Sequence, residues 1–293
     1  MTPRGFLIEF PIEDDAHIYG FGLQLKQFDQ RGRKLRLAVN ADPTSANGDS
    51  HAPVPFFVTN KGYGMYFDTA RYIEVYCGYK KHTGAVKAEA GESRVMTSTD
   101  ELYAVREFCG AVMSVLIPGA QGVDVYVFEG KKITDIVSEY NMLSGGGADV
   151  PEWGLGVFYR CCGNYSQDKV LGMADYFRSH DLPCDILGLE PGWQTHAYSC
   201  SWAWSERFPE PEKMLRELRG NGFHVSLWEH AFCHPSSPVY NALSEHGGEY
   251  EVWGGVVPDF ATDEAKKIFA DYHREKLVDN GVDGFKLDEC DSS

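Results

Sequence analysis

Apolar and polar positions change their rhythm partway along the chain. Up to about residue 130 the apolar residues come in short runs rich in β-branched and aromatic side chains: Phe6–Phe10, Pro55–Thr59, Gly64–Phe67, Tyr72–Tyr76 and Val123–Phe128. The last alternates apolar with polar residues, as a half-buried strand does. Lys61-Gly62 between two such runs reads as a tight hairpin turn, and Asn47-Gly48-Asp49-Ser50 as loop. This spacing predicts a β-sandwich rather than an α/β layer.

Gly145-Gly-Gly147 and Pro151 mark a connector, after which the pattern becomes strand then helix. Val170, Met173, Ala174 and Phe177 share one helical face. Met214, Leu215 and Leu218 share a second, and Ala265, Ile268, Phe269 and Tyr272 a third. Thr262 is placed to cap the third helix, with Asp263 and Glu264 in its first turn. Between these helices lie four candidate strands, Gly154–Tyr159, Cys184–Leu189, His224–Trp228 and Gly284–Asp288. Repeated β-then-α passes predict parallel strands. Polar groups recur at their ends, at Arg160, Glu190, Glu229 and Asp288, and in a β/α barrel those ends share one mouth that carries the chemistry. The expected architecture is therefore multidomain β plus α/β: a β-sandwich over residues 1–142, then a partial (β/α)8 TIM barrel over residues 143–293. The stretch from Pro151 onward is little more than half of the ~250 residues of a complete barrel. The expectation is a truncated chain holding the barrel's first half.

Composition narrows the partners. With 27 basic and 43 acidic residues the net charge is −16, and no local basic patch suggests a nucleic-acid surface. The most apolar stretch, Ala111–Ile117, is far short of the roughly 20 residues of a membrane span. The first residues contain no apolar signal-peptide core, so the compartment stays open. Eight cysteines lie scattered without CxxC spacing, which suits reduced and mostly buried thiols. Cys233 beside His234 is a poor metal pair, because adjacent residues diverge and no second ligand cluster accompanies them. Asn164-Tyr-Ser166 is a glycosylation sequon, weak by itself. Gly145-Gly-Gly147 is no phosphate loop.

At the strand ends the sequence becomes specific. Gly281–Asp291, reading Gly-Val-Asp-Gly-Phe-Lys-Leu-Asp-Glu-Cys-Asp, resembles the nucleophile strand of glycoside hydrolase family 31, the α-glucosidase and α-xylosidase family. Tyr19-Gly-Phe-Gly22, Arg31-Gly32, Asn40-Ala-Asp42, Ser50–Phe57 and Gly62–Asp68 resemble its amino-terminal sandwich. Pro183–Trp193, Phe208-Pro209 and Gly222–Trp228 follow its early barrel. The resemblance implies a retaining, exo-acting α-glycoside hydrolase needing no cofactor or metal, with an α-linked carbohydrate as partner. Asp288 would be the nucleophile, forming a glycosyl ester. Lys286, two residues away and so on the same strand face, would favour the carboxylate form and bind hydroxyls. Glu190 takes the place of a sugar-binding Asp in many members, and its length, with Pro191-Gly-Trp193 after it, departs from the glucosidase pattern. Trp193 and Trp228 would stack on a pyranose, with Trp228 equally a core residue, and Glu229 and His230 would border the mouth or else hold ordinary loop and strand-end roles. Asp42 would reach it from a sandwich loop, unless it is simply a turn residue before Pro43.

Retaining chemistry needs a second carboxyl group about 5–5.5 Å from the first. In the resembled family it comes from later in the barrel. Glu289 is expected to point away from Asp288 and Asp291 to order the following loop. The 293-residue chain is accordingly expected to be inactive alone. The Lys286-Leu287-Asp288 arrangement leans away from maltose-type substrates and leaves α-galactosides, α-N-acetylgalactosaminides and α-xylosides open. A noncatalytic carbohydrate-binding or structural protein derived from the same fold is the alternative.

Overall fold

The computed structural model describes residues 5–40, 46–82 and 108–289. Asp42, expected in a loop, lies outside the described residues, as does Asp291. The chain divides into two compact units, residues 1–147 and 148–291.

The first unit is a β-sandwich. One sheet has the strand order β1-β7-β6-β3, from Gly5–Ile12, Phe108–Pro118, Ile73–His82 and Lys34–Leu37. The other has the order β2-β4-β5-β8, from Ile18–Gly20, Phe56–Thr59, Tyr63–Asp68 and Asp124–Glu129. All pairings between these strands are antiparallel. Residues of both sheets, among them Ile18, Phe57 and Phe67 from one and Leu35, Val75, Met113 and Val115 from the other, form the core between them. The uninterrupted apolar run of β4 has a direct cause, because the strand is buried on both faces. Phe57 enters the sandwich core, while Phe56 and Val58 pack under helix α1 (Ile133–Leu143) against Ile136 and Phe128. Tyr140 of α1 stacks on Phe56 at 3.9 Å. The hairpin expected at Lys61-Gly62 joins β4 to β5, with Gly62 at φ +81°. Helix α1 begins before the residues read as connector, and the apolar stretch at Ala111–Ile117 is part of β7.

The second unit is built on four parallel strands in the order β14-β11-β10-β9. They run Phe158–Cys161 (β9), Ile186–Leu189 (β10), His224–Glu229 (β11) and Gly284–Leu287 (β14). Helices α2 (Gln167–Ser179) and α3 (Pro211–Gly220) follow the first two. After β11 come a short helix α4 (Tyr240–Ser244), a hairpin of β12 (Gly247–Val252) and β13 (Gly255–Pro258), and helix α5 (Asp263–His273). The hairpin and α4 interrupt the β-then-α rhythm and are absent from the periodicity reading. The expected strand at Gly154–Tyr159 starts late, since Glu152–Leu155 forms a 3-10 turn. The predicted apolar faces do bury: Val170 and Ala174, then Met214, Leu215 and Leu218, join Leu187, Leu189, Val225 and Leu227 in one core, and Ile268, Phe269 and Tyr272 of the third helix pack against it. This is the arrangement of a partial TIM barrel. No helix among the described residues is long and apolar enough to cross a membrane.

Thr262 caps α5, its hydroxyl accepting from the Ala265 amide at 3.4 Å. Thr262→Ala is expected to cost about 1 kcal/mol, read as a lower urea midpoint at unchanged slope; an unchanged midpoint would remove the cap from the account of this helix.

Candidate active site

The site forms where the parallel strands end. Asp288 follows β14 directly, and its amide donates to the Glu229 carbonyl at 2.8 Å, extending the β11–β14 pairing by one step. Lys286, two residues earlier, places Nζ 2.9 Å from Asp288 Oδ2. The Trp228 indole N–H donates to the same oxygen at 2.9 Å, and the Glu289 amide donates to Oδ1 at 3.1 Å. Partial burial pushes the Asp288 pKa up, but the hydrogen bonds from Lys286 and Trp228, with the ammonium charge, outweigh it and hold the carboxyl below its ordinary value.

Glu190 follows β10 and is nearly buried at 9% exposure. Arg160 Nε stands 2.9 Å from its Oε1 and Lys286 Nζ 3.8 Å. The four side chains thus alternate in sign, Arg160–Glu190–Lys286–Asp288, and a buried carboxylate of this kind is tolerable only with such partners.

Trp193 and Trp228 are in place but hold no open ring face, at 1% and 2% exposure. Each acts through its indole N–H: Trp193 donates to the Trp228 carbonyl at 2.8 Å, and Trp228 donates to Asp288. Both are struts under the carboxylate. Glu229 takes the ordinary strand-end role of the two left open for it. Neighbours on a strand point to opposite faces, so with Trp228 turned to Asp288 the Glu229 carboxylate meets helix α5, 3.0 Å from His273 Nε2 and 2% exposed. What Glu229 gives the mouth is its backbone carbonyl. His273 Nδ1 lies 2.8 Å from the Phe269 carbonyl, which only accepts, so that nitrogen donates.

Glu289 does not continue the strand alternation. The strand stops at Leu287, Glu289 adopts φ +53°, and the Tyr198 hydroxyl donates to its Oε1 at 3.3 Å. Tyr198 belongs to an aromatic group that single-residue reading missed. Its ring lies 5.2 Å from Trp228, 5.2 Å from Trp253 and 5.9 Å from His230. Burial pushes the Tyr198 pKa up to about 12, with Glu289, Asp288 and Glu190 adding to the effect. His230 is fully buried, and burial pushes its pKa down to about 4, so the ring is neutral near pH 7. Its Nδ1 accepts from the Phe232 amide at 3.2 Å, which puts the proton on Nε2, where no hydrogen bond of good geometry forms. A sequence signal did exist for Trp253: Trp253-Gly254 sits between Tyr250-Glu-Val252 and Gly255-Val-Val257, a two-residue hairpin pattern. Tyr198 had none.

No group of three or more His, Cys, Asp or Glu among the described residues is placed to hold a metal ion.

A sandwich followed by parallel β/α units, with an ionised carboxylate at a strand end, is an arrangement of carbohydrate-active enzymes. Residues 148–293 match the glycosyl hydrolases family 31 TIM-barrel domain, and residues 3–75 match the glycosyl hydrolase 31 N-terminal galactose mutarotase-like domain. The chain belongs to glycosyl hydrolase family 31. It is 24% identical over 289 residues to the α-xylosidase XylQ of Lactiplantibacillus pentosus, covering 94% of this chain and 34% of that protein. A family 31 dextranase from Flavobacterium johnsoniae, solved with glucose, superposes with a TM-score of 0.73 at 21% identity, covering 95% of this chain and 33% of that one. A family 31 α-xylosidase from a soil metagenome, solved with xylose, gives 0.70 at 18% identity, covering 98% and 38%. The chain spans about a third of the length of the relatives it matches.

The Asp288 environment makes a signed prediction. Its lowered pKa contributes stability that is present above the unfolded value of about 3.9 and is lost as pH falls through the lower folded value. Lys286→Met removes the hydrogen bond and the charge, so the Asp288 carboxyl should titrate at higher pH, followed by carbon NMR of a labelled aspartate. An unmoved titration would mean that Lys286 does not govern this carboxylate.

Proposed function

We propose that this chain carries the nucleophile side of a retaining, exo-acting α-glycoside hydrolase, with Asp288 as the nucleophile. The observation that carries the reading is the Asp288 carboxylate at the end of β14, held by Lys286 and Trp228 on Oδ2 and by the Glu289 amide on Oδ1.

A carboxylate kept ionised in this way supplies negative charge beside the oxocarbenium-like transition state. It then gives an oxygen lone pair to the anomeric carbon while the bond to the leaving oxygen breaks. The same three donors stabilise the carboxylate as it departs in the second step, when water attacks the glycosyl ester. Lys286 and Glu190 face the sugar as hydroxyl-binding groups, and Arg160 stands 2.9 Å from Glu190 Oε1. Trp193 and Trp228 support the site from beneath. Glu229 supports the nucleophile's backbone.

Proton transfer to the leaving group needs another carboxyl. Glu190 is committed to Arg160 and Lys286, and Glu229 to His273. The family resemblance implies an acid/base group from later in the barrel, and the 293-residue chain alone is expected to lack hydrolysis. Relatives named α-xylosidases make α-xylosides the first substrates to try, ahead of α-galactosides and α-N-acetylgalactosaminides.

The test is hydrolysis of a panel of aryl α-glycosides by the protein of the natural reading frame that carries this chain. Asp288→Asn should lower kcat by about a thousand-fold or more, with the 293-residue chain inactive. Retained activity in Asp288→Asn would overturn the nucleophile assignment. Sugar binding without hydrolysis by the parent would favour a noncatalytic carbohydrate binder.

A further inference from the structure

A buried pair of titratable side chains lies behind the strand that grips Asp288. Glu229 is 2% exposed, and His273, the last residue of α5, is 6% exposed with its Nε2 3.0 Å from Glu229 Oε2. His273 Nδ1 donates to the Phe269 carbonyl at 2.8 Å. The bond between Nε2 and the carboxyl group therefore carries one further proton, held as imidazolium or as carboxylic acid. The ring stacks on Phe269 at 3.9 Å and meets Trp202 at 5.4 Å and Phe285 at 5.6 Å. Glu229 belongs to β11 and Phe285 to β14, so His273 touches both strands whose ends hold the carboxylate. Directly after His273 the helix opens into a π-helical turn, Arg274–Val278, a rare geometry that recurs at functional sites.

The Trp228-Glu229 segment frames the Asp288 carboxyl. The Glu229 carbonyl takes the Asp288 amide at 2.8 Å, and the Trp228 indole N–H reaches Oδ2 at 2.9 Å. The segment is itself held twice: the Trp193 indole N–H donates to the Trp228 carbonyl at 2.8 Å, and His273 holds the Glu229 side chain. Stability alone is a poor account of such a pair, since apolar side chains of similar volume often do as well at this depth. What the pair adds is direction. A hydrogen bond fixes an orientation that apolar packing leaves free, and a reacting group displaced by about 1 Å can lose about 100-fold in rate.

We infer that His273 is a positioning residue for Asp288: through Glu229 it sets the orientation of the Trp228-Glu229 segment, and so where the carboxylate oxygen stands relative to the anomeric carbon. This inference rests on the reading of Asp288 as the nucleophile. The Glu229 side chain leaves β11 on the face opposite Trp228, away from the carboxylate. The effect of the pair therefore falls on the bond-forming step and not on sugar affinity.

The test uses the protein of the natural reading frame and the paired substitution Glu229→Leu with His273→Leu, which leaves neither polar group buried without its partner. The melting temperature should stay within about 5 °C of the parent's. For aryl α-glycosides kcat should fall about ten-fold while KM stays within about two-fold. Carbon NMR of labelled aspartate should show the Asp288 carboxyl titrating at higher pH as the grip of Trp228 loosens. Glu229→Gln, whose amide N–H can donate to a neutral His273 Nε2, should recover most of the lost kcat. Parent kcat and an unmoved Asp288 titration in the folded paired variant would overturn the inference, as would a change confined to KM. If the paired variant does not fold, Glu229→Met, which keeps the volume and leaves a neutral imidazole, is judged by the same outcomes. A parent that hydrolyses no glycoside would sink the nucleophile reading separately, and the Asp288 titration, which needs no turnover, would still decide the positioning.

Discussion

One ammonium group between two carboxylates organises the mouth of the parallel strands. Lys286 stands 2.9 Å from Asp288 and 3.8 Å from Glu190, on adjacent sides of the same strand ends. Two carboxylates at such a place would otherwise repel each other. The Lys286 charge between them, with Arg160 behind Glu190, offsets that repulsion. Strand geometry makes this possible: Lys286 and Asp288 lie two residues apart, so both project from one face.

The same alternation divides the work on the neighbouring strand. Trp228 turns toward Asp288 and donates its indole N–H, whereas Glu229 turns outward and joins His273 of α5. The strand end is thereby tied to the carboxylate on one face and to the helical layer on the other. Its backbone serves as well, since the Glu229 carbonyl receives the Asp288 amide. A substitution in α5 that disturbed His273 would therefore reach the carboxylate through β11 without touching sugar.

Much of this was legible in the sequence, and the reasons for the rest are physical. Faces built by burial were readable, because Val170 and Ala174 or Met214, Leu215 and Leu218 must repeat at helical spacing to reach one core. The same holds for the strand-end positions of Glu190 and Asp288. The Lys286–Asp288 approach was also implied by spacing. What could not be read was the direction taken by large side chains. Trp193 and Trp228 resemble sugar platforms by residue type, yet their indole N–H groups have partners beneath the surface. Glu229 is acidic at a strand end and still faces a helix. Tyr198 lies on an irregular loop without periodicity, and its place depends on lacing to segments more than thirty residues away in sequence. Strand periodicity failed at Glu289 because the backbone turns left-handed there.

The central claim is that Asp288 forms the covalent bond to sugar. A fluorinated α-glycosyl fluoride, whose electron-poor ring slows hydrolysis of the ester, can be incubated with the protein of the natural reading frame, digested and mapped by mass spectrometry. In this reaction fluoride leaves the anomeric carbon as the carboxylate oxygen bonds to it. The account predicts a single glycosyl adduct on the peptide containing Asp288, absent from Asp288→Asn. A stable adduct on another carboxylate would contradict it.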